Sequence, residues 1–270
     1  MHFRQLFVTG AVVAATLGFM SPAEATHSWG GYHWARTSNP FTLKLGDNVT
    51  SAWDSYLSTA SSDWTQSTVL DTTVVGGRTN SQVCKGTTGT VQVCNASYGS
   101  TGWLGIASIS ITGGTHITQG TVKLNDTYFN TARYNTPAWR ALVTCQEIGH
   151  TFGLDHQDTI FGNANLGTCM DYTSNPSGTP AGLSNEHPNQ HDYDELVTIY
   201  THLDSTTSVA ASSTAGSANP SDQAGVDRGS TGAPGQWGRL VSGSESPRHV
   251  AVYERDFGGG DKEVTFVTWA

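Results

Sequence analysis

Positive charge is scarce in this 270-residue chain. Thirteen lysines and arginines stand against 22 aspartates and glutamates, for a formal net charge of −9, and no Lys/Arg cluster occurs. That excludes a nucleic-acid partner, because phosphate binding rests on a basic patch or stripe. Long apolar runs are also missing. The run from Val8 to Met20 is too short to span a bilayer. It follows Arg4 and precedes Ala23-Glu24-Ala25, so residues 1–25 read as a secretory signal with an A-x-A cleavage site. No membrane partner is expected of the secreted, extracellular chain. Cysteine is limited to four, and an exported chain pairs them. Three connectivities are possible. Cys84 and Cys94 flank the turn-rich Lys85-Gly86-Thr87-Thr88-Gly89, which predicts a stapled hairpin.

What is present is an ordered series of periodic segments. Phe41, Leu43 and Leu45 alternate with polar residues, as in a half-buried strand. Val49, Trp53, Tyr56, Leu57, Ala60 and Trp64 recur at helical spacing and predict an amphipathic helix over 48–64. Val69–Val75, Trp103–Ile111 and Thr121–Leu124 read as strands, the second covered on both faces. Thr136-Pro137 is a helix start. Trp139, Val143, Gln146 and His150 form one line on that helix, and Ala141, Cys145, Ile148 and Phe152 another, so it should be buried. Residues 157–190 are loop-rich, and a last helix is expected at 191–203. Residues 205–236 are Ser, Thr, Gly, Ala and Pro with little that can be buried, which reads as a linker. From 237 to 270 a strand pattern resumes around Gly258-Gly259-Gly260, giving a small β-hairpin that is either a separate module or an addition to the main sheet.

The chemistry concentrates in Gln146-Glu147-Ile148-Gly149-His150-Thr151-Phe152-Gly153-Leu154-Asp155-His156. Positions four apart share a helix face, so Gln146 and His150 point the same way. Gly153 can adopt the left-handed conformation that ends a helix and returns His156 to the same place. The stretch matches the His-Glu-x-x-His-x-x-Gly-x-x-His zinc-protease pattern at every position but the first, where glutamine stands for histidine. Downstream, Cys169-Met170-Asp171-Tyr172 looks like a methionine turn. On these residues the chain resembles the metzincin clan of zinc metalloproteases, near the matrixin or astacin type.

The resemblance implies an α+β zincin fold over 26–204. It would have a twisted, mainly parallel sheet, two long helices, a methionine turn and a C-terminal helix, with a small β appendage. It implies Zn2+ held by Gln146, His150 and His156. Glu147 would be the general base, and Tyr172 would steady the oxyanion or reach the metal. If Met170 lies beneath the metal, Cys145 and Cys169 are neighbours and pair. The family's edge strand above the cleft, which pairs with substrate, would be Thr121–Leu124 or that strand is an ordinary one. The partner would be an extended peptide or protein, acted on by a monomer. No cysteine precedes the first strand to cap a metal, so latency of the matrixin kind is not expected. His116, His187, His191 and His249 lack ligand spacing and read as surface or hydrogen-bonding residues, with His191 near enough to the methionine turn to approach the cleft.

Three functions stay open at this point: a secreted endopeptidase, an inactive relative that binds peptide or a protein partner, and a structural β-rich protein whose motif is coincidental. Retention of Glu147 favours the first, and Gln146 favours the second.

Overall fold

The computed structural model describes residues 26–178, 182–211 and 234–270. The expected signal segment lies outside them. Alternating burial builds the first long strand. After the two-residue arm β1 (His33–Trp34), β2 (Phe41–Asn48) buries Phe41, Leu43 and Leu45 and leaves Thr42 and Lys44 half-buried. The helix α1 (Asp54–Trp64) buries Leu57, Ala60, Ser61 and Trp64 along one stripe. It starts later than 48, because the Trp53 N–H closes a turn on the Thr50 carbonyl at 2.8 Å. The strands β3 (Leu70–Gly76), β4 (Thr90–Ala96), β5 (Trp103–Thr112) and β6 (His116–Asn125) follow, and β5 is buried at every position up to Ile111.

A single turn, α2 (Asp126–Phe129), leads to α3 (Pro137–His150). Thr136 caps α3 by accepting the Trp139 N–H, and Pro137 opens it. Every residue from Leu142 to His150 is buried, as two apolar lines on one helix require. Next, α4 (Gln190–Ile199) begins with a reciprocal cap between Asn189 and Asp192. The chain ends in β7 (Arg239–Gly243), β8 (Val250–Gly258) and β9 (Asp261–Trp269). No helix among the described residues is long and apolar enough to cross a membrane.

Among the described residues nine strands form one sheet in the order β3-β2-β4-β6-β5-β9-β8-β7, with β1 attached to β6. The helices α1 and α3 contact each other; α1 lies against β2 and β3, and α3 against β5, β6 and β9. Two expectations are corrected and two open alternatives are decided. The sheet is mixed rather than mainly parallel: the pairings among β1, β2, β3, β4 and β6 are parallel, and those involving β5, β7, β8 and β9 are antiparallel. Tight glycine turns join β5 to β6 and β8 to β9, and links that short make those two pairs antiparallel. Cys84–Cys94 staples a loop to β4 and no hairpin forms, because β4 pairs in parallel with β2 and β6. Thr121–Leu124 lies in β6 between β4 and β5, so it has no free edge for a substrate.

The second of those alternatives concerns the C-terminal strands and the segment before them. Residues 205–211 run along the body, with the Ser208 N–H on the Ala35 carbonyl at 2.9 Å and the Ala210 N–H on the Gly89 carbonyl at 3.0 Å. The rest of the expected linker up to 233 lies outside the described residues. The C-terminal strands are no separate module, because β9 pairs with β5 from Trp103 to Ile111. Side chains alternate across a strand. Val264 and Phe266 therefore enter the main core, while Val267 and Trp269 join Trp103, Ile106, Trp237, Ala251 and Tyr253 in a second core on the other face.

Candidate active site

The end of α3 and the turn after it build the site. Gly153 has φ +97°, and a Cβ there would meet the Tyr32 carbonyl oxygen at 2.0 Å, so glycine alone lets the chain reverse. The reversal returns His156 to His150, with ring centroids 4.5 Å apart. The Nδ1 of His150 lies 2.9 Å from the Leu154 carbonyl, so Nδ1 carries the hydrogen and Nε2 presents a lone pair. Burial, with His156 beside it, pushes His150 down to about 3, which keeps the ring neutral as a metal ligand must be.

Glu147 sits one step around the helix, fully buried. A Cβ on Gly105 of β5 would come within 2.6 Å of its Oε1, so that glycine makes its room. Burial raises the carboxyl to about 8; Thr268 and the Ala107 backbone pull it back only in part. Nε2 of His150 and Nε2 of His156 are buried without a hydrogen-bond partner, whereas Glu147 has Thr268 and the Ala107 backbone beside it and His156 Nδ1 lies 3.4 Å from an Asp155 carboxylate oxygen. Each such atom costs roughly 1–3 kcal/mol unless something satisfies it. A soft-to-borderline divalent cation fits the two imidazoles and satisfies their lone pairs.

Gln146 fits that role less readily as it stands. Its Nε2 donates to the carbonyls of Cys169 at 2.8 Å and Asp171 at 3.3 Å, and its Oε1 accepts from the Thr268 hydroxyl at 3.0 Å. The amide thus ties α3 to the segment carrying Met170. The Cys145–Cys169 disulfide makes the same tie covalently. Met170 packs under the helix, its Sδ 2.7 Å from where a Cβ of Gly149 would lie. The Tyr172 ring centroid is 6.4 Å from that of His156, and its hydroxyl donates to the Trp269 carbonyl at 2.8 Å.

The strand β9 covers all of this. Phe266 stacks flat on His150 at 4.3 Å, Thr268 holds Gln146, and the Trp269 carbonyl holds Tyr172. Gln146, Glu147, His150, His156 and Tyr172 are consequently brought together and all buried. His191 keeps to the neighbouring layer, with Nδ1 2.6 Å from Gln157 Nε2 and its ring stacked on His27. His187 pairs with Asp63 at the surface.

The sequence reading missed one feature. Among the described residues, a group of three side chains with metal-ligand atoms within 4.8 Å of one another occurs elsewhere, at His33, His202 and Asp204. His116, expected only to hydrogen-bond, reaches the same aspartate at 3.2 Å. The one local signal for it is the spacing His202-x-Asp204.

No family model and no curated protein matches the chain. Some solved structures resemble it in outline. Myroilysin aligns with a TM-score of 0.34 and 12% identity over 62% of this chain and 96% of that one. The zinc protease high choriolytic enzyme 1, a hatching enzyme of the medaka fish Oryzias latipes, aligns with 0.36 and 11% over 63% and 94%. Likeness at this level leaves the function to be read from the site itself.

Proposed function

We propose that the chain is an exported zinc-dependent endopeptidase held closed by its own C-terminal strand. The observation that carries this reading is the pair of buried Nε2 atoms on His150 and His156 that no hydrogen bond occupies, with the Glu147 carboxyl one step around the helix. His150 and His156 are the ligands. When bound there, Zn2+ supplies the Lewis acidity that polarises a carbonyl and acidifies water. Glu147 accepts the proton from the attacking water and passes it to the leaving amine.

The cover explains the rest of the site. Without β9, the outer edge of β5 is free, and an extended peptide can pair there by backbone hydrogen bonds. The same departure removes Thr268 from the Gln146 oxygen, Phe266 from the His150 ring and the Trp269 carbonyl from the Tyr172 hydroxyl. Gln146 then has an oxygen to offer as third ligand, and Tyr172 has a hydroxyl to offer the developing oxyanion. One strand thus holds three functional side chains out of use.

Phe266→Ala tests this by loosening the cover where it touches His150. We expect chelator-sensitive cleavage of an unfolded protein to rise above that of the wild-type chain. Adding Glu147→Gln should cut it by about 10²–10⁴-fold. A second reading, a non-cutting peptide-binding protein, is favoured by the three hydrogen bonds that occupy the Gln146 amide. A folded Phe266→Ala protein that binds extended peptides but never cleaves them would establish it in place of the first.

A further inference from the structure

Away from the motif, four side chains from three distant segments meet at one carboxylate oxygen. His33 lies on β1 and His116 at the start of β6; the β1–β6 pairing sets them directly in register. His202 and Asp204 follow α4, where the Asp204 N–H bonds the Arg36 carbonyl at 2.9 Å and returns the chain to β1. The Oδ1 of Asp204 lies 3.2 Å from His116 Nε2, 3.6 Å from His33 Nε2 and 3.7 Å from His202 Nε2. The Nε2 atoms of His33 and His202 are 3.1 Å apart.

Hydrogen bonding among these groups accounts for only part of that geometry. Separations of 3.6 and 3.7 Å are too long for hydrogen bonds. They do suit donors sharing a cation: ligand bonds of about 2.0–2.1 Å in a tetrahedron place donor atoms roughly 3.3 Å apart. The His33 tautomer is also set for it. Its Nδ1 lies 2.8 Å from the Gly31 carbonyl, which only accepts, so Nδ1 carries the hydrogen and Nε2 turns a lone pair towards the cluster.

The carboxylate is aimed as well. Its other oxygen, Oδ2, accepts from the Arg36 backbone N–H at 3.1 Å and from Arg36 Nη1 at 2.9 Å. Arg36 is itself buried, donates to the His202 carbonyl and the Asn39 side chain, and lies over the Tyr200 ring. A buried arginine therefore fixes both the aspartate and the backbone of one histidine. The His202 side chain is 53% exposed, which gives an ion a way in.

We propose that His33, His202 and Asp204 form a second Zn2+ site independent of the motif. Two imidazoles and a carboxylate suit zinc, which takes three protein ligands and keeps an open position. The ion would clamp the N-terminal arm to the segment after α4, with His116 holding the carboxylate from β6.

The test is the zinc count and affinity of the full chain after chelator treatment and Zn2+ titration. It uses the wild-type chain and a His150→Ala/His156→Ala chain, each with and without His202→Ala. We expect His202→Ala to lower the count by one, or to weaken that ion at least about tenfold, in both backgrounds. Chelation should also lower Tm in the double variant and leave it unchanged once His202 is replaced. His202 is largely exposed, so its loss spares the fold, and circular dichroism checks this. An equal count, affinity and chelator response with and without His202→Ala would overturn the site, whatever the motif binds.

Discussion

Two histidine sites in this molecule are built in opposite ways. At the motif, His150 and His156 come from one helix and the turn behind it, and they lie sealed beneath β9. At the cluster, His33, His116 and His202 come from β1, β6 and the segment after α4, and His202 opens to solvent. The first has two imidazole nitrogens with no hydrogen-bond partner; the second has donors crowded around a carboxylate that an arginine holds still. The contrast teaches that a local motif fixes ligand identity cheaply but leaves access to the rest of the fold. A site assembled from distant segments depends on the whole fold and can serve to fasten it.

Three changes sharpen that contrast. Replacing Cys145 and Cys169 together by serine removes the link between α3 and the Met170 segment. A loop of this size is worth about 3 kcal/mol. Thermal melts should show a clear loss of Tm, and any peptidase activity should fall with it. Zn2+ uptake at the cluster, measured in the His150→Ala/His156→Ala background, should hold. Arg36→Lys keeps the charge but loses the fork that reaches Asp204, Asn39 and the His202 carbonyl at once. Zinc affinity at the cluster should drop by about 10–100-fold, read by competition with a chromophoric chelator, with cleavage by a Phe266→Ala chain little altered. The smallest effect belongs to His187→Ala. That ring pairs with Asp63 but is 57% exposed, so the loss should stay below about 1 kcal/mol and neither site should change. A large effect of His187→Ala on either zinc count would mean the two sites are not the separate units described.

Much of the fold was legible in residue order. The Thr136-Pro137 start of α3, the double apolar line along it, the buried β5 and the left-handed Gly153 all follow from local chemistry. Both disulfides match expectation, although the predicted hairpin at Cys84–Cys94 does not form. Strand pairing was not legible. Thr121–Leu124 carries the same alternation whether it lies at an edge or inside the sheet, and only its neighbours decide. The role of 237–270 was likewise open, since a β pattern says that a strand will pair without saying with what.

The sequence by itself determined which side chains gather at the motif, because helix periodicity and one glycine turn place Glu147, His150 and His156 within a few residues of each other. Tertiary structure alone decided that β9 lies over them, that Thr268 holds Gln146, and that His33, His116, His202 and Asp204 meet at all. Those contacts join residues 88, 122 and 169 positions apart, and they depend on sheet order and register, which arise from the packing of the whole chain.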